Sequence, residues 1–192
     1  LPEIKDEEDF PCEDIHALTQ WVKDSFKELT EQGDFNIKAI NISAHGASFV
    51  HIDEGGKPVT PLYNYLKPYP EELKKKFYKT YGGEDEFARL TASPVLGHLN
   101  SGMQLYWLKY ERPELFKQIK YSLHLPEYIS YLFSGQPTSG ITSIGCHTNL
   151  WNFATKQYHN WVAQENLLEK LAPIRPSYKV DQSNHTYKVG IG

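Results

Sequence analysis

Residues 37–63 read IKAINISAHGASFVHIDEGGKPVTPLY, and the fold is decided there. Ile37, Ala39 and Asn41 alternate with Lys38, Ile40 and Ile42, which predicts a short strand over 37–42. Ser43-Ala44-His45-Gly46 interrupts it, and a second strand is expected over Ala47–Ile52. Glu54-Gly55-Gly56-Lys57 is a turn whose glycines can supply positive φ, so Val59–Tyr63 should return as a third strand and close a hairpin over 47–63. The loop Ser43–Ser48 then lies at a strand end, where ligands gather in α/β sheets. Gly46 would let backbone approach a ligand, and the His45 ring can donate or accept a hydrogen bond. The competing reading is a tight turn between strands.

Outward from this centre the periodicity changes. Residues 1–11 are acidic and expected to be extended. Ile15, Leu18, Val22, Phe26 and Leu29 recur every three or four residues, which predicts a helix over 14–32 with Asp14 as N-cap and Gly33 as its stop. Beyond the hairpin, Pro70 opens a helix with Glu71-Glu72 at its positive end, running to Tyr81 before Gly82-Gly83. Glu84-Asp85-Glu86 reads as another solvated helix end. Further helices are expected over 102–110 after a Ser101 cap, from Pro113, and from Pro126 to Gly135, with Tyr121–Leu125 between the last two. Residues 137–148, rich in Thr, Ser and Gly, predict an ordered loop with strand character. Asn149–Phe153 reads as a strand, 160–171 as a helix, and Tyr187–Ile191 as a final strand after a loop from Pro173. Strands framing a helical middle give an α/β or α+β class.

Composition narrows the function. The chain has 192 residues, 40% hydrophobic and 23% charged, which suits one folded domain. A net charge of −4 offers no basic field for nucleic acid. No apolar run reaches the ~18 residues of a membrane span, and the acidic start LPEIKDEEDF is no signal peptide. Two cysteines, Cys12 and Cys146, cannot build a disulfide framework, and a reducing cytoplasm fits them best. Cys12 and His16 have helical spacing but lack the second ligand pair of a structural zinc site, so no metal is expected. Cys146 and His147 are sequence neighbours, which on an extended chain point to opposite faces, so a packed loop is preferred to a nucleophile and its base. The aromatic content of 14% falls mostly at helical spacing, as in Tyr106, Trp107 and Tyr110, and so predicts core packing. No glycine-rich nucleotide loop with a phosphate-binding Lys is present.

Four stretches together resemble the N-terminal domain of the FGGY family of carbohydrate kinases, in a divergent, rhamnulose-kinase-like branch. They are Asn41–Pro58, a strand, turn and hairpin; Leu99–Trp107 (LNSGMQLYW), similar to the family's first signature; Leu125–Gly135 (LPEYISYLFSG), similar to its Pro-x-Tyr helix; and Thr142–Trp151 (TSIGCHTNLW), similar to the loop and strand that follow. The resemblance covers roughly 12–192. Gln104 and Leu99 depart from the signature, which usually has Lys at the first position and an aromatic or small residue at the second.

The resemblance implies a ribonuclease-H-like α/β lobe of the actin and hexokinase superfamily. It is expected to carry an incomplete mixed sheet, flanking helices and a helical insertion at about 64–148. It implies transfer of the γ-phosphoryl of ATP, with Mg²⁺, to a hydroxyl of a ketose, related sugar or polyol. His45 and Gly46 match the sugar-contacting turn, Tyr65 the aromatic residue after the hairpin, and Asn100 a substrate-facing position at the signature helix. The readings against contact are a turn histidine, a core tyrosine and a helix cap. Thr142, Ser143 and His147 form a polar loop that is a further candidate for ligand contact. The resemblance further implies that 1–192 is a fragment truncated at both ends, with the phosphate loop before it, the catalytic Asp just after Gly192, and ATP bound by segments outside it. The incomplete sheet makes a second copy of the chain a candidate partner through its open edge. The rival readings are a non-catalytic sugar-binding module and an interaction domain.

Overall fold

The computed structural model describes residues 3–182 and 187–191, so the expected ends at Leu1 and Gly192 lie outside it. The acidic start is a small hairpin, β1 (Glu3–Lys5) against β2 (Pro11–Glu13), with Ile4 opposite Cys12. Asp14 caps α1 (Ile15–Glu31) by accepting from the His16 and Ala17 N–H groups, and Gly33 at φ +73° ends it. The strand expected over 37–42 shortens to β3 (Ala39–Ile40).

β4 (Phe49–Ile52) turns through Asp53–Lys57, but the third strand does not form. Pro58 and Pro61 remove two donors from the returning segment. Only Val59 N–H to His51 O and the Ile52–Pro58 bridge tie it to β4, and Leu62 pairs instead with Glu13. The ladder partner of β4 is β5 (Tyr121–His124), antiparallel, with Phe49 opposite His124.

The middle of the chain is helical: α2 (Glu71–Thr80), α3 (Glu84–Thr91), α4 (Ser101–Glu111), α5 (Pro113–Gln118) and α6 (Leu125–Ser134), which ends at Gly135 in the left-handed conformation. The Glu84-Asp85-Glu86 run is the first turn of α3. Residue 100 takes the N-cap position of α4, and Ser101 lies inside the helix with its hydroxyl on His124. The loop expected over 137–148 contains β6 (Ser139–Gly140) and a short helix, α7 (Ile141–Gly145). Asn149 sits at φ +66°, so the strand expected over 149–153 narrows to β7 (Trp151–Asn152), paired with β8 (Gln157–Tyr158). The helix expected over 160–171 breaks after α8 (Asn160–Gln164), because Asn166 turns left-handed at φ +55° and a single 3-10 turn follows at Leu168–Lys170. Trp161 and Leu167 are both fully buried across that break, so the apolar spacing survives without a continuous helix.

β9 (Ile174–Arg175) runs parallel to β6. β10 (Val180–Gln182) and β11 (Lys188–Gly190) join β3 in a mixed sheet of order β10-β11-β3, in which β11 and β3 are parallel. Among the described residues no helix is long and apolar enough to cross a membrane.

All four residues of β4 are buried, as expected of a strand covered on both faces. Phe49 joins an aromatic core with α2, α3, α4 and α8. Val50 and Ile52 join a second core with Ile15 and Leu18 of α1 and Leu125 and Tyr128 of α6. Gly102 lets the start of α4 approach residues 148–150. A Cβ there would lie 2.6 Å from Thr148 O and 2.8 Å from Leu150 Cδ2. Gly102→Ala is expected to lower stability by about 1–3 kcal/mol through overpacking, measured by urea denaturation.

Candidate functional site

His45 and Tyr65 come together although twenty residues separate them. His45 sits exposed in the β3–β4 loop, its Nδ1 3.0 Å from Gly46 O. Its ring centroid lies 5.9 Å from that of half-buried Tyr65. With Glu13, Ser48, Leu62, Tyr63, Asn64 and Leu66 they line a cavity of about 140 Å³. A complete small-molecule site holds roughly 300–1,000 Å³, so these residues form one wall. Gly46 faces open space, with no atom within 4 Å of a Cβ built on it. The left-handed residue of this loop is its neighbour Ala47, at φ +66°. A larger cleft of about 570 Å³ between α1 and α6 has a largely apolar floor of Phe26, Phe35, Leu132 and Phe133 and shares no residue with the wall.

Asn100 is placed differently. It is fully buried, its Oδ1 accepts from Leu96 N–H at 2.8 Å, and its Nδ2 donates to His147 O at 2.7 Å. Its side chain holds two loops together and does not reach the wall. Thr142 is exposed and Ser143 half-buried on α7. Ser143 turns toward the carboxyl of Glu127, which also accepts from Gly140 N–H at 3.0 Å. Burial raises Glu127 to about 7 against the lowering effect of those hydrogen bonds. His147, at φ +43°, has its Nδ1 buried without a hydrogen-bond partner among the described residues. None of Asn100, Thr142, Ser143 or His147 lines the His45–Tyr65 cavity.

The link between these loops is the start of α4. Gly102 N–H donates to Thr148 O at 2.9 Å, and Gln104 Nε2 donates to Ala47 O at 2.7 Å and to His98 O at 2.9 Å. In the sequence Gln104 stands out only as a departure from a signature. Its duty becomes visible when residues 47 and 98 are brought to it. Behind the wall, Lys67 is buried with its ammonium 2.5 Å from Asp6 Oδ2, 5.0 Å from the Trp107 ring and 5.6 Å from that of Tyr63. Two buried imidazoles lie in the β4–β5 ladder. His51 meets Ser122 Oγ at 2.7 Å and His124 meets Ser101 Oγ at 2.8 Å. Burial pushes both down to about 3, which keeps them neutral. Among the described residues no group of three or more His, Cys, Asp or Glu side chains is placed to hold a metal ion.

The chain is similar to known proteins over most of its length. The model for the FGGY family of carbohydrate kinases, N-terminal domain, matches residues 1–186. The rhamnulokinase of Halalkalibacterium halodurans is 28% identical over 147 residues, covering 77% of this chain and 31% of that protein. That of Yersinia pestis is 26% identical over 123 residues, covering 64% of this chain and 25% of that protein. The chain thus spans under a third of the length of these curated relatives. A carbohydrate kinase from Novosphingobium aromaticivorans superposes with a TM-score of 0.82 at 22% identity, over 100% of this chain and 42% of that one. A ligand-bound xylulose kinase from Lactobacillus acidophilus gives 0.81 at 20%, over 100% and 41%. The fold is therefore that of the matched part of these kinases, an α/β arrangement with a mixed sheet and flanking helices.

Proposed function

This chain belongs to the FGGY family of carbohydrate kinases, matching its N-terminal domain, and from that membership we propose that it forms the sugar-side wall of an ATP-dependent kinase of a ketose or polyol. The observation that carries this is the meeting of His45 and Tyr65 at an open cavity beside an uncrowded Gly46. His45 offers a hydrogen bond to a sugar hydroxyl and Tyr65 an aromatic face to the ring. L-Rhamnulose is the first substrate to test, since the matching curated relatives are rhamnulokinases.

Phosphoryl transfer depends on positioning and charge stabilisation, and Mg²⁺-ATP, when bound, supplies the transferred group and neutralises its charge. A carboxylate accepts the proton of the attacking hydroxyl, worth typically about 10²–10⁴-fold. No carboxylate of the His45–Tyr65 wall is given that duty. We place the base and the nucleotide site in sequence outside these 192 residues, in keeping with the share of the relatives' length that the chain spans. The duty left to the chain is to bind and orient the sugar and keep water from its acceptor hydroxyl.

Two outcomes follow. The purified 192-residue chain gives no sugar-dependent ATP turnover; robust turnover would overturn the division of labour. His45→Ala in the complete polypeptide raises the KM for the accepted sugar about tenfold, the loss of one well-placed hydrogen bond, and leaves the KM for ATP unchanged. An unaltered sugar KM would remove His45 from the site.

A further inference from the structure

Ala47 adopts φ +66° without being glycine, beside the cavity-lining Ser48 and two residues after the cavity-lining His45. Such a residue persists only when its surroundings hold it there. Its flank is fixed by Leu125 N–H donating to Ser48 O at 3.2 Å. The carbonyl of Ala47 itself is held from α4 by Gln104, whose Nε2 donates to it at 2.7 Å and to His98 O at 2.9 Å. Gln104 is fully buried, and its Oε1 has no hydrogen-bond partner among the described residues. Its useful chemistry is thus the donor end of the amide. The same helix start grips the other polar loop, through Asn100 to His147 O and Gly102 to Thr148 O.

We propose that Gln104 is a positioning residue for the sugar-binding turn: by bridging the carbonyls of Ala47 and His98, its amide sets the backbone at residue 47 and so fixes the direction of His45 toward Tyr65. The proposal rests on the assignment of that turn to the sugar. Gln104 does not line the cavity and touches no substrate; it acts through residue 47. Its donors face two carbonyls, so a side chain of similar reach that only donates can replace it. One that offers no donor strands both acceptors in the interior.

The test uses the complete polypeptide with Gln104→Leu, Gln104→Met and Gln104→Lys, and reads two quantities. The first is the KM and kcat for L-rhamnulose, or for whichever sugar of a ketose and polyol panel the wild type accepts. The second is amide hydrogen exchange, resolved by segment. Leu and Met are expected to raise the sugar KM about tenfold with little change in kcat or in the KM for ATP, the loss of about one buried hydrogen bond at the turn. Exchange should quicken over 44–50 ahead of the helical segments, and Lys should restore both quantities to within about threefold, because its ammonium supplies the same donors. Unchanged sugar KM and unchanged exchange at 44–50 in the Leu and Met variants would overturn the role of Gln104. So would faster exchange spread evenly over the chain, or a Lys variant no better than Leu. A wild type that turns over no sugar defeats the sugar-wall assignment itself, and the two failures are thereby distinguished.

Discussion

Lys67→Met is expected to lower the stability of the protein by about 3–5 kcal/mol, the cost of leaving a buried charge without its partner. Only 4% of the Lys67 side chain and none of the Asp6 side chain is exposed, and their charged atoms are 2.5 Å apart. Glu8 Oε2 is a second partner at 3.1 Å. Asp6 Oδ1 also accepts from the Glu8 and Phe10 N–H groups at 2.9 and 3.0 Å. Arg112 adds ion pairs to Glu7 and Glu8, and Tyr63 donates to Glu7 at 2.7 Å. Together these bonds fasten the β1–β2 hairpin, and with it Glu13, to the wall behind the candidate site.

Burial alone would raise the Asp6 carboxyl, but the hydrogen bonds from Lys67, Glu8 and Phe10 outweigh it and hold it below the ordinary value. The folded pKa therefore lies below the unfolded one. The resulting stabilisation is complete above the unfolded value of about 3.9 and is lost as pH falls through the folded value. Guanidinium denaturation as a function of pH checks both points. A loss below about 1 kcal/mol in Lys67→Met would show the pair to be as weak as an exposed one.

Phe77→Ala is the second large effect, about 3–5 kcal/mol from lost burial plus the cavity left behind. Phe77 is fully buried, with Tyr78, Tyr81, Phe87, Tyr106 and Trp161 rings at centroid distances of 5.0–5.1 Å. Most of these contacts are edge-to-face, the arrangement that favours aromatic pairs. Tyr106 belongs to α4, so the same cluster seats the helix that carries Asn100 and Gln104. The change should lower the denaturation midpoint and quicken exchange along α4. A loss under about 1.5 kcal/mol would mean that the cluster closes over the gap, contrary to its dense packing.

Local signals carried much of the fold. The Asp14 cap, the Gly33 stop and the Pro126–Gly135 helix all depend on neighbours within four residues, and each forms as read, while the α1 stripe is buried at Ile15 and Leu18 and exposed by Leu29. What escaped was set at long range. The Val59–Tyr63 strand gave way because Pro58 and Pro61 remove its donors and Leu62 pairs with Glu13, while β4 takes its ladder from β5, about seventy residues on. Ser101 went to His124 rather than capping, and the 160–171 helix broke because Trp161 and Leu167 could both be buried around a left-handed Asn166. The candidate site divided in the same way. His45 and Gly46 lie in a loop whose composition marks it, and Tyr65 joins them. Asn100 is a helix-start residue by spacing, and only the folded chain shows its amide consumed by Leu96 and His147. Gln104 carries no local mark, because its partners are fifty-seven and six residues away.

The most direct measurement is ADP release by the complete polypeptide with Mg²⁺-ATP and a panel of ketoses, aldoses and polyols led by L-rhamnulose. Turnover that depends on one sugar or a narrow set of them, lost in affinity when His45 becomes Ala, is the predicted result. A folded, ATP-binding protein that releases no ADP with any member of the panel would contradict the kinase assignment.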